Sequence, residues 1–125
     1  MGLMDSLKKR VQKVEVEVSA ERFAEIWDKI APYNSEVHLN PRSRAVDYVK
    51  DVRVVEEEVG IFRKSKEKRV KVDVYRDYYG DEDYEDSWSD YETVVLRPNE
   101  TVKLRFSREN YEKLLKELGN VFGGD

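Results

Sequence analysis

Arg69-Val70-Lys71-Val72-Asp73-Val74-Tyr75-Arg76 alternates apolar and polar residues without a break, so its valines share one face of an extended strand and Arg69, Lys71, Asp73 and Tyr75 share the other. Such a strand needs partners, and the chain offers them on both sides. Upstream, the β-branched Val52, Val54 and Val55 predict a strand over about 53–62 that closes a hairpin onto 69–76. Downstream, 91–97, a turn at Pro98-Asn99 and 101–106 predict a second hairpin. In it Val102, Leu104 and Phe106 face inward, and Lys103 and Arg105 outward.

The outer thirds supply helices. Val14, Val16 and Val18 alternate with Glu15 and Glu17 as a half-buried strand, which Ser19 ends as a helix N-cap. Phe23, Ile26, Trp27 and Ile30 then recur at helical spacing until Pro32 stops the helix. Ser107 caps a second helix whose Tyr111, Leu114, Leu115 and Leu118 form its apolar stripe, with Gly119 as its stop. The two units echo one another: strand, Ser, x, Glu, x, aromatic, then apolar residues at +3, +4 and +7. Asn40-Pro41 predicts a further short helix through Ala45, Val49 and Val52, and the alternative is a helix running on to Glu58 and closed by Gly60.

Together these elements predict one α+β domain over 1–125: an antiparallel sheet of four to five strands with two main helices packed on one face. Residues 1–12 form an amphipathic segment with Leu3, Leu7, Val11 and the adjoining Val14 on one side, 78–90 an acidic aromatic loop, and 120–125 a tail expected to fray. Met1-Gly2 with Ser6 also matches an N-myristoylation pattern, with Lys8, Lys9 and Arg10 nearby, but the amphipathic segment is the simpler reading.

Composition narrows the function. Apolar residues make up 39% of the chain and occur in periodic segments, so the 40% that are charged belong to the surface of a folded domain. Cysteine is absent, which excludes disulfides, thiol nucleophiles and cysteine-held zinc. A single glutamine, Gln12, among many Glu, Lys and Arg is the composition expected of a hyperthermophilic, archaeal protein. No stretch approaches the ~20 apolar residues of a membrane span and no signal-peptide core is present, so a cytoplasmic protein without a membrane partner is expected.

Catalytic chemistry finds little to build on. His38 is the lone histidine and sits between Val37 and Leu39, no Gly-x-Ser-x-Gly elbow exists, and the six glycines match no phosphate-cradling spacing. The run Asp81 to Glu92 places acids at positions 1, 3, 5 and 12 of a calcium loop, yet Asp86 stands where the sharp turn needs glycine, and strands flank it in place of helices. The expectation is a protein that is not an enzyme and needs no cofactor and no metal.

Charge segregation is the remaining signal. Between Gly60 and Arg76 seven bases face two acids, a net +5; from Asp77 to Glu92 there are eight acids and no base, a net −8. With the later strands in one sheet, Arg63, Lys64, Lys68, Arg69, Lys71, Tyr75, Arg97, Lys103 and Arg105 form a basic, aromatic surface suited to single-stranded nucleic acid, where cations meet phosphates and rings stack on bases. The alternative is a protein-protein adaptor that presents Tyr78, Tyr79, Tyr84, Trp88 and Tyr91 from the acidic loop. Self-association through an open face or edge is expected with either.

The run Val14-Glu15-Val16-Glu17-Val18-Ser19-Ala20-Glu21-Arg22-Phe23, followed by Asn40-Pro41-Arg42-Ser43-Arg44-Ala45-Val46, loosely resembles the strand and two helices of ribbon-helix-helix DNA-binding proteins. The resemblance implies that the outward residues of the strand read the major groove. Here those are Glu15 and Glu17, which phosphates repel, and less than half of the chain is covered, so the family's function is not carried over.

Overall fold

The computed structural model describes residues 13–39, 45–78 and 88–123. Its frame is one antiparallel sheet of six strands in the order β1-β6-β2-β3-β4-β5. The strands are β1 (Lys13–Ser19), β2 (Glu36–His38), β3 (Ala45–Val59), β4 (Ser65–Tyr78), β5 (Trp88–Leu96) and β6 (Thr101–Ser107). Helices α1 (Ala20–Ile30) and α2 (Arg108–Leu118) pack on the face that carries the valines of β4, so the class is α+β. Among the described residues helices cover one face only, and no element packs on the other, the open face.

Six strands replace the four to five expected: β2 is the added one, and β3 reaches back to Ala45. The predicted helix through Ala45, Val49 and Val52 is strand. Its error has a physical source in a β-bulge between Val49 and Asp51, where Lys50 is the extra residue. Before the bulge Ala45, Asp47 and Val49 point inward; after it Val52 and Val54 do. The skipped residue converts a period of two into spacings of four and three, which imitate a helix. With Ala45 and Val46 in a strand, the ribbon-helix-helix resemblance loses its second helix. β2, at three residues, is too short to show any period.

The echo between the two strand-helix units is visible in space. Ser19 accepts a hydrogen bond from the Arg22 N–H at 3.1 Å, and Ser107 from that of Asn110 at 3.2 Å. β1 and β6 are antiparallel neighbours in which the equivalent residues Val16 and Leu104 face each other. The two units are therefore related by a local two-fold through that pair, which puts both helices on the same face. Phe23, Ile30, Leu104, Phe106 and Leu114 are fully buried between them and the sheet.

Two details depart from expectation. Only Leu114 of the α2 stripe is fully buried, while Leu115 and Leu118 are partly exposed. The tail is anchored over residues 120–123: Val121 is buried, Phe122 packs 5.7 Å from the Phe106 ring, and Arg22 donates to the Val121 carbonyl at 2.9 Å.

One ion pair is set into the inner face of the sheet. The Asp47 carboxylate accepts from the Leu39 N–H at 3.0 Å and from two nitrogens of Arg76, Nη2 at 3.1 Å and Nε closer still. Arg76 also lies 3.5 Å from Glu92 and over the Tyr78 ring. The hydrogen bond to Asp47 raises the pKa of Arg76 above its usual value, against the opposing pull of burial. Removing one partner strands the other, so Asp47→Ala is expected to cost about 3 kcal/mol, and Asp47→Ala with Arg76→Met is expected to recover most of that. Guanidinium unfolding midpoints check this; equal losses in the single and double variants would count against it.

Candidate ligand-binding sheet face

The register of β3, β4 and β5 decides what the open face presents. Tyr48 pairs with Tyr75, and Tyr75 with Tyr91, so three tyrosines lie in one row across three strands. Their ring centroids are 6.5 Å and 4.9 Å apart, and the second pair meets edge to face. Tyr48 is 51% exposed and Tyr91 73%, with Tyr75 half-buried between them. Sequence reasoning found Tyr75 and Tyr91 but missed Tyr48, because the bulge disguised its strand. The alternation of Val46 and Tyr48 with Ala45, Asp47 and Val49 was the available signal.

Beside the row lies a charged layer. The Arg53 guanidinium donates to Asp73 at 2.6 Å and to Asp51 at 3.0 Å, while the Thr93 hydroxyl donates to the other Asp73 oxygen at 2.6 Å. These donors hold the Asp73 carboxyl below its usual pKa, the Arg53 bond being the largest cause.

The sequence-predicted basic residues do not form one surface. Lys71 binds Glu57 at 3.0 Å, Arg69 binds Glu67 at 2.9 Å, and Arg105 lies 3.4 Å from Glu15 and 3.9 Å from Glu36. Lys68 points to the opposite face, toward Glu21 of α1 at 3.9 Å. Arg63 and Lys64 sit in the turn between β3 and β4. Lys103 and Arg105 lie on β6, three strands or about 14 Å from β4. Among the described residues the side chains of Arg63, Lys64, Arg97 and Lys103 make no ion pair. Acids are thus interleaved with the bases, and the open face is close to neutral.

The adaptor loop is represented in part. Tyr79 and Tyr84 lie outside the described residues. Tyr78 belongs to β4 and turns to the inner face, where its hydroxyl donates to Glu92 at 2.6 Å, and Trp88 opens β5. Of the two whose side chains are described, Tyr91 is placed on the open face.

His38 is structural in its bonding. It is buried, with Nδ1 donating to the Ala45 carbonyl at 2.8 Å and Nε2 lying 2.8 Å from Glu36, which ties β2 to the start of β3. Among the described residues no three His, Asp or Glu side chains are grouped to hold a metal, and no helix is long and apolar enough to cross a membrane. Comparison with protein-family models, curated proteins and solved structures finds no match to this chain.

The carboxylate network sets a measurable property. Asp73 is expected to titrate below the ordinary carboxyl value of 3.8 and to return toward it in Arg53→Gln. Any stability it contributes is present above its unfolded pKa and lost as pH falls through the lower folded one. Carboxyl NMR titration of the two proteins checks both statements.

Proposed function

We propose that the protein is a non-catalytic binding module whose working surface is the open sheet face and whose ligand is single-stranded nucleic acid. The observation that carries the reading is the row Tyr48, Tyr75 and Tyr91, partly exposed and spaced across three strands at 6.5 Å and 4.9 Å. Every base has a π-face, so a row of rings holds successive bases without reading their identity, at about 1–3 kcal/mol for each stacked base. Phosphate attraction contributes less than the sequence implies, because Arg53, Arg69, Lys71 and Arg105 already hold carboxylates. Arg97 and Lys103 are, with Lys13 on the far strand β1, cations of this face without an acidic partner among the described residues. The absence of cysteine fits a cytoplasmic protein, and the dense ion pairing fits a hyperthermophilic source.

A protein ligand on the same face, including a second copy of the chain, is favoured by one observation. Neutralised ion pairs surround an aromatic centre, which is the anatomy of a protein interface with its polar rim. Salt dependence separates the two readings.

With a labelled single strand at low salt, Tyr75→Ala and Tyr91→Ala are each expected to weaken binding by about five- to a hundredfold. Two phosphate contacts predict a slope of about −1.4 in log K against log salt. Fluorescence anisotropy reads both quantities. Absence of binding to single-stranded DNA and RNA at low salt would overturn the proposal in favour of a protein ligand.

A further inference from the structure

The β3–β4 hairpin outruns the sheet that holds it. β5 begins pairing with β4 only at Val70, and β2 touches β3 only at Asp47, so, among the described residues, 55–59 and 65–69 pair with each other alone. These five-residue stretches make an arm about 17 Å long. Its end is built tightly: Gly60 has φ +103°, and a Cβ there would lie 2.2 Å from the Arg63 carbonyl oxygen. The turn therefore has a defined shape. It displays Ile61 at 89% exposure and Phe62 at 98%.

A single exposed apolar side chain is ordinary, but two consecutive large ones at the end of a projecting arm mark a contact surface. The next two residues, Arg63 and Lys64, are exposed and make no ion pair among the described residues. Farther along β4, Arg69 and Lys71 differ, being held by Glu67 and Glu57. The tip thus combines an unpaired positive charge with an aromatic ring and an aliphatic wedge.

We propose that the arm tip is a second contact on the same single strand, with Phe62 stacking on a base, Ile61 wedged beside it, and Arg63 and Lys64 on the adjoining phosphates. This rests on the nucleic-acid reading of the tyrosine row. Continuity supports it: β4 runs from Tyr75 to Ser65 over about 33 Å of strand. A stacked strand with a rise of about 3.4 Å covers that distance in about ten nucleotides. Apolar wedges and stacked rings are both established means of engaging bases. An anionic lipid surface has related chemistry, but it would use the tip alone and leave the tyrosine row without a part.

Oligonucleotide length is the test. Full-length wild type and Phe62→Ala, Phe62→Trp and Phe62→Leu variants are titrated with single strands of about four and about twelve nucleotides. Phe62→Ala is expected to weaken the longer strand by about fivefold or more and leave the shorter unchanged; Phe62→Trp should keep the affinity and Phe62→Leu lose it. The inference is overturned if Phe62→Ala changes neither length or both alike, if Phe62→Leu retains the affinity, or if Phe62→Ala abolishes binding to phosphatidylglycerol vesicles while oligonucleotide binding stays intact. If wild type binds neither length, the reading of the sheet face fails and takes this inference with it. Phe62 is 98% exposed, so none of these variants threatens folding.

Discussion

The carboxylate of Asp47 is where the sheet is joined. Its oxygens reach β4 through Arg76 and the chain leaving β2 through the Leu39 N–H, so one buried side chain ties three strands. Arg76 extends the tie to Glu92 on β5. Burying these charges is tolerable only because each meets an opposite charge with well-directed hydrogen bonds. β2 contributes a single registered pair to β3, so the Asp47 tie, the His38 bond to the Ala45 carbonyl and the core shared under α1 join the β1-β6-β2 half to the β3-β4-β5 half. The tyrosine row and the arm both stand on β3 and β4, and this junction sets their position.

Legibility in the sequence followed regularity. β4, β6 and both helices were readable because Val70, Val72 and Val74, or Phe23, Ile26 and Ile30, keep strict time with their element and end at recognisable caps. β3 was half lost at Lys50, where one inserted residue shifts the phase of the valines. β2 was lost to brevity, and with it the sixth strand. The tail was misjudged because Val121 and Phe122 depend for burial on Phe106 and on Arg22, partners far away in sequence.

The candidate site was legible in residue type more than in charge. Tyr75 stood out as an outward residue and Tyr91 as an aromatic of the acidic loop, but the basic stretch between Gly60 and Arg76 could not reveal that its cations would meet Glu57, Glu67 and, for Arg76, Asp47. Linear charge counting measures what the chain carries, whereas recognition depends on what folding leaves uncompensated. Among the described residues folding leaves an aromatic row, a few unpaired cations on the open face, Lys103 among them, and Arg63 and Lys64 at the end of the arm.

The free edges of the arm differ in sign. Along the stem, β3 carries Glu56, Glu57 and Glu58, and β4 carries Lys66, Lys68 and Arg69. If two arms met edge to edge about a two-fold axis, acid would face acid or base would face base. A staggered head-to-tail meeting would match the charges but would not close. The hairpin thus has an electrical polarity that opposes symmetric strand exchange, and this guards two exposed backbone edges against self-templating without capping either of them.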